Sequence, residues 1–300
     1  MVLEWLFTLC RVVVGLVFCI SAYLKYRSID SFEIYLYSLD WFPIVLCFYF
    51  ARLLIVFEFV LGVALVSHVF RKLVDWASYA VLILFSIFLV YLISQGYEGN
   101  CHCMGNYIDL PPIPSLIKNV VLGALIWLSG KGKKFSFKWL NIAVPIIGVV
   151  TLAAVFISNP PDGLRKTKPA DIHLSEIDKY FPTDSVFQAE YASKPKALVC
   201  CFSTGCRVCR LSAQKMQIMM NRFSIPSDRV YTLYVGSEHK RKVFMEKTNF
   251  GEYRYKILDV EQFSRMFGHV PVFLYYENGV LKNSFTYRSL TEDVISSLAD

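Results

Sequence analysis

Four cysteines in this chain are spaced for sulfur chemistry. Cys206 and Cys209 form Cys-Arg-Val-Cys, and Cys101 and Cys103 bracket His102 in Cys-His-Cys-Met-Gly. Two thiols separated by two residues can close a disulfide across one helical turn and reopen it when another thiolate attacks. A pair with one intervening residue closes a smaller, strained ring, and strained exposed disulfides are oxidising and exchange readily. Such a pair suits an electron relay. His102 can hold a neighbouring thiolate when protonated, or move a proton. Soft-metal binding is the open alternative there, since Cys101, His102, Cys103 and Met104 are all good ligands for Cu(I). At Cys206 and Cys209 the alternatives are a static disulfide or half a zinc site, but zinc needs two more ligands and His239 and His269 have no matching spacing. No metal is assigned to either pair. Cys10, Cys19 and Cys47 read as small packing hydrophobes.

The flanking residues indicate what positions the Cys-x-x-Cys. Residues 197–202 are a strand-like apolar run containing Cys200 and Cys201, Ser203-Thr204-Gly205 is a turn, and Leu211, Met216, Ile218 and Met219 form a helical stripe. Cys206 therefore falls at a helix start. Unpaired backbone N–H groups and the helix dipole there favour an anion, so Cys206 is the candidate nucleophile and Cys209 the thiol that closes the disulfide. Arg207 and Arg210 add positive potential. Downstream, the pattern predicts strands at 229–235, 270–276 and 280–287, a helix at 237–248, a turn at Glu277-Asn278-Gly279, and a helix opening at Leu290-Thr291.

The other half of the chain is built for lipid. Hydrophobic residues make up 55% of the sequence and charged residues only 18%, an apolar share above that of a soluble domain. Up to Ser158 there are 11 Lys/Arg and 8 Asp/Glu, against 20 and 16 in the rest. A helical bundle in the membrane followed by a water-soluble α/β domain is the expected fold class. The net charge of +7 is shared between the halves without a basic tail, which gives no case for a nucleic-acid partner. Five stretches approach the length needed to cross hydrocarbon: about 2–24, 50–66, 76–93, 115–128 and 139–157. The first lacks a basic leader and a small-residue cleavage site, so it reads as an uncleaved helix. The run at 41–50, with Pro43 and an interruption at Arg52, is either an early start of the second span or an interfacial segment. The aromatic cluster around Trp41 favours the interface.

Basic residues are retained on the cytoplasmic side. Arg71, Lys72, Lys131, Lys133, Lys134 and Lys138 fall in loops on one side, and Lys25 and Arg27 on the other, weakened by Arg165, Lys166 and Lys168 after the last span. This places the Cys101–Cys103 loop and the C-terminal half outside the cytoplasm, where disulfides persist. Charges within lipid are costly, so Arg11, Glu58 and Arg52 should face the bundle interior and pair, with Arg11–Glu58 the expected pair. A structural ion pair and a place on a proton or quinone path are both open for Arg11, Glu58 and His102.

Residues 172–300 resemble the thioredoxin fold, on Ala-Leu-Val-Cys-Cys-Phe-Ser-Thr-Gly-Cys-Arg-Val-Cys and on Gly-His-Val-Pro-Val-Phe at 268–273. The resemblance implies a cis Pro271 packed beside the disulfide and a Val270 backbone able to pair with an extended substrate. Two departures stand out. Cys200 occupies the place of the buried carboxylate of many thioredoxins, and Arg-Val replaces the usual Gly-Pro. The first 130 or so residues resemble the MauE and DoxX family of small membrane proteins, through Arg11-Val-Val-Val-Gly15-Leu-Val-Phe18 with Ser21 to Lys25, Glu58, and Cys101-His-Cys-Met-Gly105. That likeness implies disulfide formation or quinone-linked sulfur chemistry at a membrane. The arrangement is also similar, by architecture alone, to vitamin K epoxide reductase homologues fused to a thioredoxin-like partner.

The resulting expectation is a transmembrane domain at 1–158, a linker at 159–171 containing Pro160-Pro161, and a thioredoxin-like domain at 172–300. It would work in the cytoplasmic (inner) membrane with that domain on the periplasmic side. Cys206–Cys209 would exchange disulfides with extracytoplasmic protein thiols, Cys101–Cys103 would pass the electrons on, and a lipid quinone would accept them. Reversed flow, as a reductant or isomerase, and a membrane-anchored copper module are the open alternatives.

Overall fold

The computed structural model describes residues 2–132, 139–164 and 170–299. Lys133, Lys134 and Lys138 of the basic loop, Arg165, Lys166 and Lys168 after the last span, and residues 165–169 of the expected linker lie outside them. The chain divides into two compact units, Met1–Pro161 and Asp162–Asp300. Asp162 is held within the second unit, where it accepts from Arg288 and lies 4.0 Å from the Lys215 ammonium.

The first unit contains helices α1 (Val2–Arg27), α2 (Ile29–Ser38), α3 (Ile44–Val66), α4 (Arg71–Ser94), α5 (Pro112–Ser129) and α6 (Leu140–Ser158), with a short extended segment, β1 (Cys103–Asn106), between α4 and α5. Among the described residues five of these, all but α2, are long and apolar enough to cross a membrane. α1 carries Lys25 and Arg27 in its last turn, where cations complement the helix dipole. Its contact with α3 is backbone to backbone. A Cβ on Gly15 would meet the Gly62 carbonyl oxygen at 2.7 Å, and a Cβ on Gly62 would meet the Gly15 carbonyl oxygen at 2.7 Å. Small residues at such crossings let transmembrane helices approach closely.

Two expectations need correction here. α3 begins at Ile44 directly after Pro43, so most of the 41–50 run belongs to the span, and only the exposed Trp41, Phe42 and Pro43 precede it. The span tolerates Arg52 because that side chain is 2% exposed and paired. It forms an ion pair with the buried Glu33 of α2, donates to the Phe48 carbonyl at 2.5 Å, and donates to the Asn159 carbonyl at 2.7 Å. Helix α2 itself is absent from the sequence reading. The second correction concerns Arg11, which pairs with Asp75 at the start of α4, while Glu58 pairs with Lys25 at 2.6 Å. Helix geometry explains this. With Gly15 facing Gly62 on antiparallel helices, Arg11 lies one turn toward one end and Glu58 one turn toward the other, about 12 Å apart along the axes.

Arg52 gives a direct test of this packing. Arg52→Met should destabilise the bundle by about 3–5 kcal/mol, because a buried carboxylate loses its counter-charge. Adding Glu33→Leu should recover most of that loss, as read by thermal unfolding of the detergent-solubilised protein. An undiminished melting temperature in the single variant would show that this pair does not support the fold.

The second unit is a five-stranded mixed sheet with strand order β4-β3-β2-β5-β6, made from β2 (Lys196–Ser203), β3 (Val230–Val235), β4 (Arg254–Leu258), β5 (Val272–Glu277) and β6 (Val280–Thr286). β2, β3 and β4 are parallel; β5 and β6 join antiparallel. The helices are α7 (Leu174–Tyr180), α8 (Ser185–Glu190), α9 (Arg207–Arg222), α10 (Glu238–Thr248), α11 (Val260–Met266) and α12 (Glu292–Ser296). Strand residues alternate between faces. Ala197, Val199 and Cys201 pack with Phe181, Phe187 and Tyr231 on one side. Cys200 meets Met216 of α9, and Phe202 packs against Phe244 and edge to face with Phe250 and Phe273. This is the thioredoxin-like α/β arrangement expected from the sequence, with β4, α7, α8 and α11 in addition.

Candidate functional site

The C-terminal thiols sit where the strand and helix hand over. β2 ends at Ser203, and Thr204-Gly205 turns the chain into Cys206, the N-cap of α9. Its Sγ accepts the Cys209 backbone N–H at 3.3 Å, so a helix-terminal donor already points at the sulfur. Cys206 is half-buried and Arg207 exposed beside it. Cys209 is fully buried, and its Sγ accepts the Ser203 N–H at 3.4 Å. Burial pushes the Cys209 thiol well above its ordinary range, which suits a resolving rather than an attacking sulfur. Cys200, at the place of the usual buried carboxylate, is also held protonated by burial.

The Val270–Pro271 bond is cis. Because β5 pairs antiparallel with β2, Cys201 opposite Val272, Val270 and Pro271 lie level with the end of β2, where the chain turns into Cys206. Pro271 is buried and Val270 half-buried.

The loop thiols are built into the membrane unit. Cys101 N–H donates to Leu110 O at 3.0 Å and His102 N–H to Asn100 Oδ1 at 2.9 Å, folding the loop on itself. Two close contacts pin it to α1. Ser21 Oγ donates to Cys103 O at 2.6 Å, and Gly105, at φ +67°, lies so near α1 that a Cβ would meet Leu24 O at 2.7 Å. Only glycine accepts that conformation and that clearance. Lys25 Nζ donates to both Ser21 Oγ (2.8 Å) and Glu58 Oε2 (2.6 Å), so α1 and α3 together hold the loop backbone. On the other side is α5: Ser115 Oγ lies 3.0 Å from Cys101 Sγ and 3.3 Å from Cys103 Sγ, and Lys118 Nζ lies 3.3 Å from Cys103 Sγ.

His102 is not suited to hold a thiolate as a cation. Its ring stacks on Tyr35 with centroids 4.4 Å apart, its Nδ1 is buried with no partner among the described residues, and burial lowers its pKa to about 4. The imidazole is therefore neutral at physiological pH, and the cation beside the thiols is Lys118. The hydrogen bond from the Cys101 thiol, then the Lys118 charge, lower the Cys103 pKa against the opposing effect of burial. Nothing in the spacing of the cysteines points to Lys118; the signal was a charged residue inside an apolar span, fifteen positions beyond Cys103. Among the described residues no group of three or more His, Cys, Asp and Glu side chains is placed to hold a metal ion.

These residues open onto a cavity of about 370 Å³. Cys101, His102, Cys103, Lys118, Lys25 and Glu58, with Ser21, Tyr35 and Asn119, supply its polar lining, and side chains such as Phe32, Leu54, Phe85 and Leu122 its apolar walls. Arg11, expected at such a site, is not in the lining.

An apolar five-span bundle carrying a buried Cys-x-Cys loop, followed by a thioredoxin-like domain with Cys-x-x-Cys at a helix start, defines a membrane-associated protein of the thiol–disulfide oxidoreductase type. Residues 3–131 match the family model of the methylamine utilisation protein MauE. The matched segment contains Arg11, Glu58 and the whole Cys101–Gly105 motif. Over an alignment of 355 residues the chain is 24% identical to Protein TlpB of Flavobacterium psychrophilum, covering 96% of each. No solved structure matches this chain.

Proposed function

We propose that the protein forms disulfides in extracytoplasmic proteins and transfers the electrons through Cys101–Cys103 to a lipid quinone. The observation that carries this reading is the pairing of a half-buried N-cap thiol, Cys206, with a buried thiol one turn behind it. A substrate thiolate attacks Cys206, forming a mixed disulfide and releasing Cys209 as a thiolate. A second substrate thiolate displaces Cys206, leaving an oxidised substrate and a reduced pair. Cys206 then opens the Cys101–Cys103 disulfide, Cys209 resolves the mixed bond, and the loop becomes the dithiol. A bound quinone would supply the acceptor for the two electrons and two protons released when that dithiol closes again. The cavity fits such a group: Lys118, Lys25, Glu58, Ser21, Asn119, Tyr35 and His102 Nδ1, which has no partner among the described residues, offer polar contacts near the thiols, and most of the remaining lining is apolar. The Val270 backbone beside Pro271 would hold the substrate chain.

The loop charges and span parity support this orientation. α6 ends at the same end of the bundle as the end of α1, Tyr26 OH donating to Ser158 Oγ at 2.9 Å, and five spans bring the Cys101 loop to that end too. Combining Cys209→Ser with a serine at one loop cysteine should accumulate a disulfide from Cys206 to the remaining loop thiol, seen as a mobility shift and a cross-linked peptide. If neither loop thiol gives that species under mild oxidation, the relay is wrong and another protein reoxidises Cys206–Cys209. A membrane-impermeant maleimide should label Cys206 on intact spheroplasts after reduction. Labelling only after lysis would put the domain in the cytoplasm.

A further inference from the structure

The sequence reading left Cys101 and Cys103 interchangeable, and the surroundings of the two sulfurs separate them. Lys118 is the distinguishing group. Its ammonium lies 3.3 Å from Cys103 Sγ and 5.9 Å from the centre of the Phe85 ring, and among the described residues it has no carboxylate partner. Lys25, the other ammonium at the cavity, is committed to Glu58 and Ser21. A cation in an apolar bundle requires a counter-charge, and the sulfur of Cys103 is the atom placed to carry it. Cys101 Sγ has no ammonium beside it and only the neutral Ser115 hydroxyl at 3.0 Å, which also lies 3.3 Å from Cys103 Sγ.

We propose that Lys118 polarises the Cys101–Cys103 disulfide, so that Cys101 is the sulfur that exchanges and Cys103 the sulfur that leaves as a thiolate. This rests on the relay proposed above. In the step, an incoming thiolate forms a new S–S bond to Cys101 while the Cys101–Cys103 bond breaks. The electron pair of the broken bond stays on Cys103, whose charge Lys118 neutralises. One disulfide is lost and one gained, one thiolate is consumed and one released, and no external oxidant is needed. A leaving thiol of lower pKa departs faster, and the charge of Lys118, with the Ser115 hydroxyl 3.3 Å from the same sulfur, acts on Cys103 in that sense. Among the described residues the ionisable groups facing the pair are His102, Tyr97 and Asp109 on the loop, Tyr35 on α2, Lys25 on α1, Glu58 on α3 and Lys118 on α5. Of these Lys118 alone donates a hydrogen bond to a cysteine sulfur.

The test uses the full chain in lipid nanodiscs, reduced and freed of reductant under anaerobic conditions. The probe is methyl methanethiosulfonate, small and neutral enough to enter the cavity, and each cysteine is quantified by peptide mass spectrometry across a pH series. Cys103 should reach its plateau rate at lower pH than Cys101. Lys118→Met should move the Cys103 profile to higher pH and slow its modification at neutral pH by about tenfold or more, whereas Lys118→Arg should leave it low. An unmoved Cys103 profile in Lys118→Met overturns the proposal. So does a wild-type protein in which Cys101 ionises first, a comparison that needs no variant to fold. In the trapping experiment, Cys209→Ser with Cys103→Ser should accumulate the Cys206–Cys101 disulfide, and Cys209→Ser with Cys101→Ser should accumulate far less; the opposite order also overturns it. If Lys118 shifts the Cys103 profile but neither trap forms, the relay reading fails while the assignment of charge to Cys103 stands.

Discussion

Cys206→Ser should cut thiol exchange by the protein by roughly a thousandfold or more, the scale of loss when a nucleophile is removed. Cys209→Ser should keep the first attack and then stall with the substrate attached. The geometry is asymmetric in the way this requires. Cys206 caps α9 with its sulfur facing the helix N–H groups, while Cys209 is fully buried behind it. Incoming thiols therefore meet Cys206, and Cys209 acts only from inside. Because burial raises the Cys209 pKa, the thiolate it needs to resolve a mixed disulfide becomes more abundant as pH rises. Release of a trapped substrate from the wild-type protein should accelerate through the alkaline range. A fluorogenic disulfide peptide gives the exchange rate, and mass spectrometry counts mixed disulfides at each cysteine. Equal trapping by both serine variants would remove the distinction between attacking and resolving thiols.

Serine at Cys101 or Cys103 should leave the C-terminal pair almost wholly reduced in growing cells, whereas the wild-type pair should be mostly oxidised. Without a loop disulfide the proposed relay has no means of taking electrons from Cys206 and Cys209, so the block should be complete at either position. Acid quenching followed by alkylation with a mass-tagged maleimide reads the ratio directly. A pair that becomes more oxidised when the loop is broken would mean that electrons flow outward from the membrane, making the protein a reductant. An unchanged ratio would uncouple the two thiol pairs.

Much of this architecture was legible in the residue pattern. The five spans, the β2–turn–α9 placement of Cys206 and the Val-Pro strand each carry a strong local signal: a long apolar run, a small-residue turn before a helical stripe, a proline at a strand entry. What escaped were elements whose signal is local but weak. β4 is an edge strand, with Arg254 and Tyr255 exposed, and edge strands lack the continuous apolar run of central ones. α2 is ten residues long with Glu33 buried in its middle, and a buried carboxylate breaks the apolar pattern until Arg52 is known to meet it. The pairing of charges failed for a related reason. Arg11 and Glu58 were matched by sign, but partners in a bundle are matched by depth, and depth depends on where α1 and α3 touch. The place of His102 between two cysteines does not reveal that its ring is buried against Tyr35, which disfavours it as a cation for the thiolates. Lys118 was overlooked because the fold, not the spacing, brings α5 beside the loop.

The mutual contact of Gly15 and Gly62 constrains how this protein can diverge. In most cores an enlarged side chain can be accommodated by shrinking its neighbour, so positions drift in compensating pairs. That route is closed here, because the nearest obstacles to a Cβ at Gly15 include the Gly62 carbonyl oxygen, and those at Gly62 include the Gly15 carbonyl oxygen and the Cys19 backbone N–H, all present whatever residue stands there. No substitution at one site can forgive a substitution at the other. Distant descendants should therefore retain both glycines together or re-space α1 and α3 altogether, and re-spacing would pull Ser21 and Lys25 away from the Cys103 loop and Glu58. Sequence change in the membrane unit is left to the lipid-facing sides of the helices, whose exposed Leu, Ile and Val residues can exchange freely.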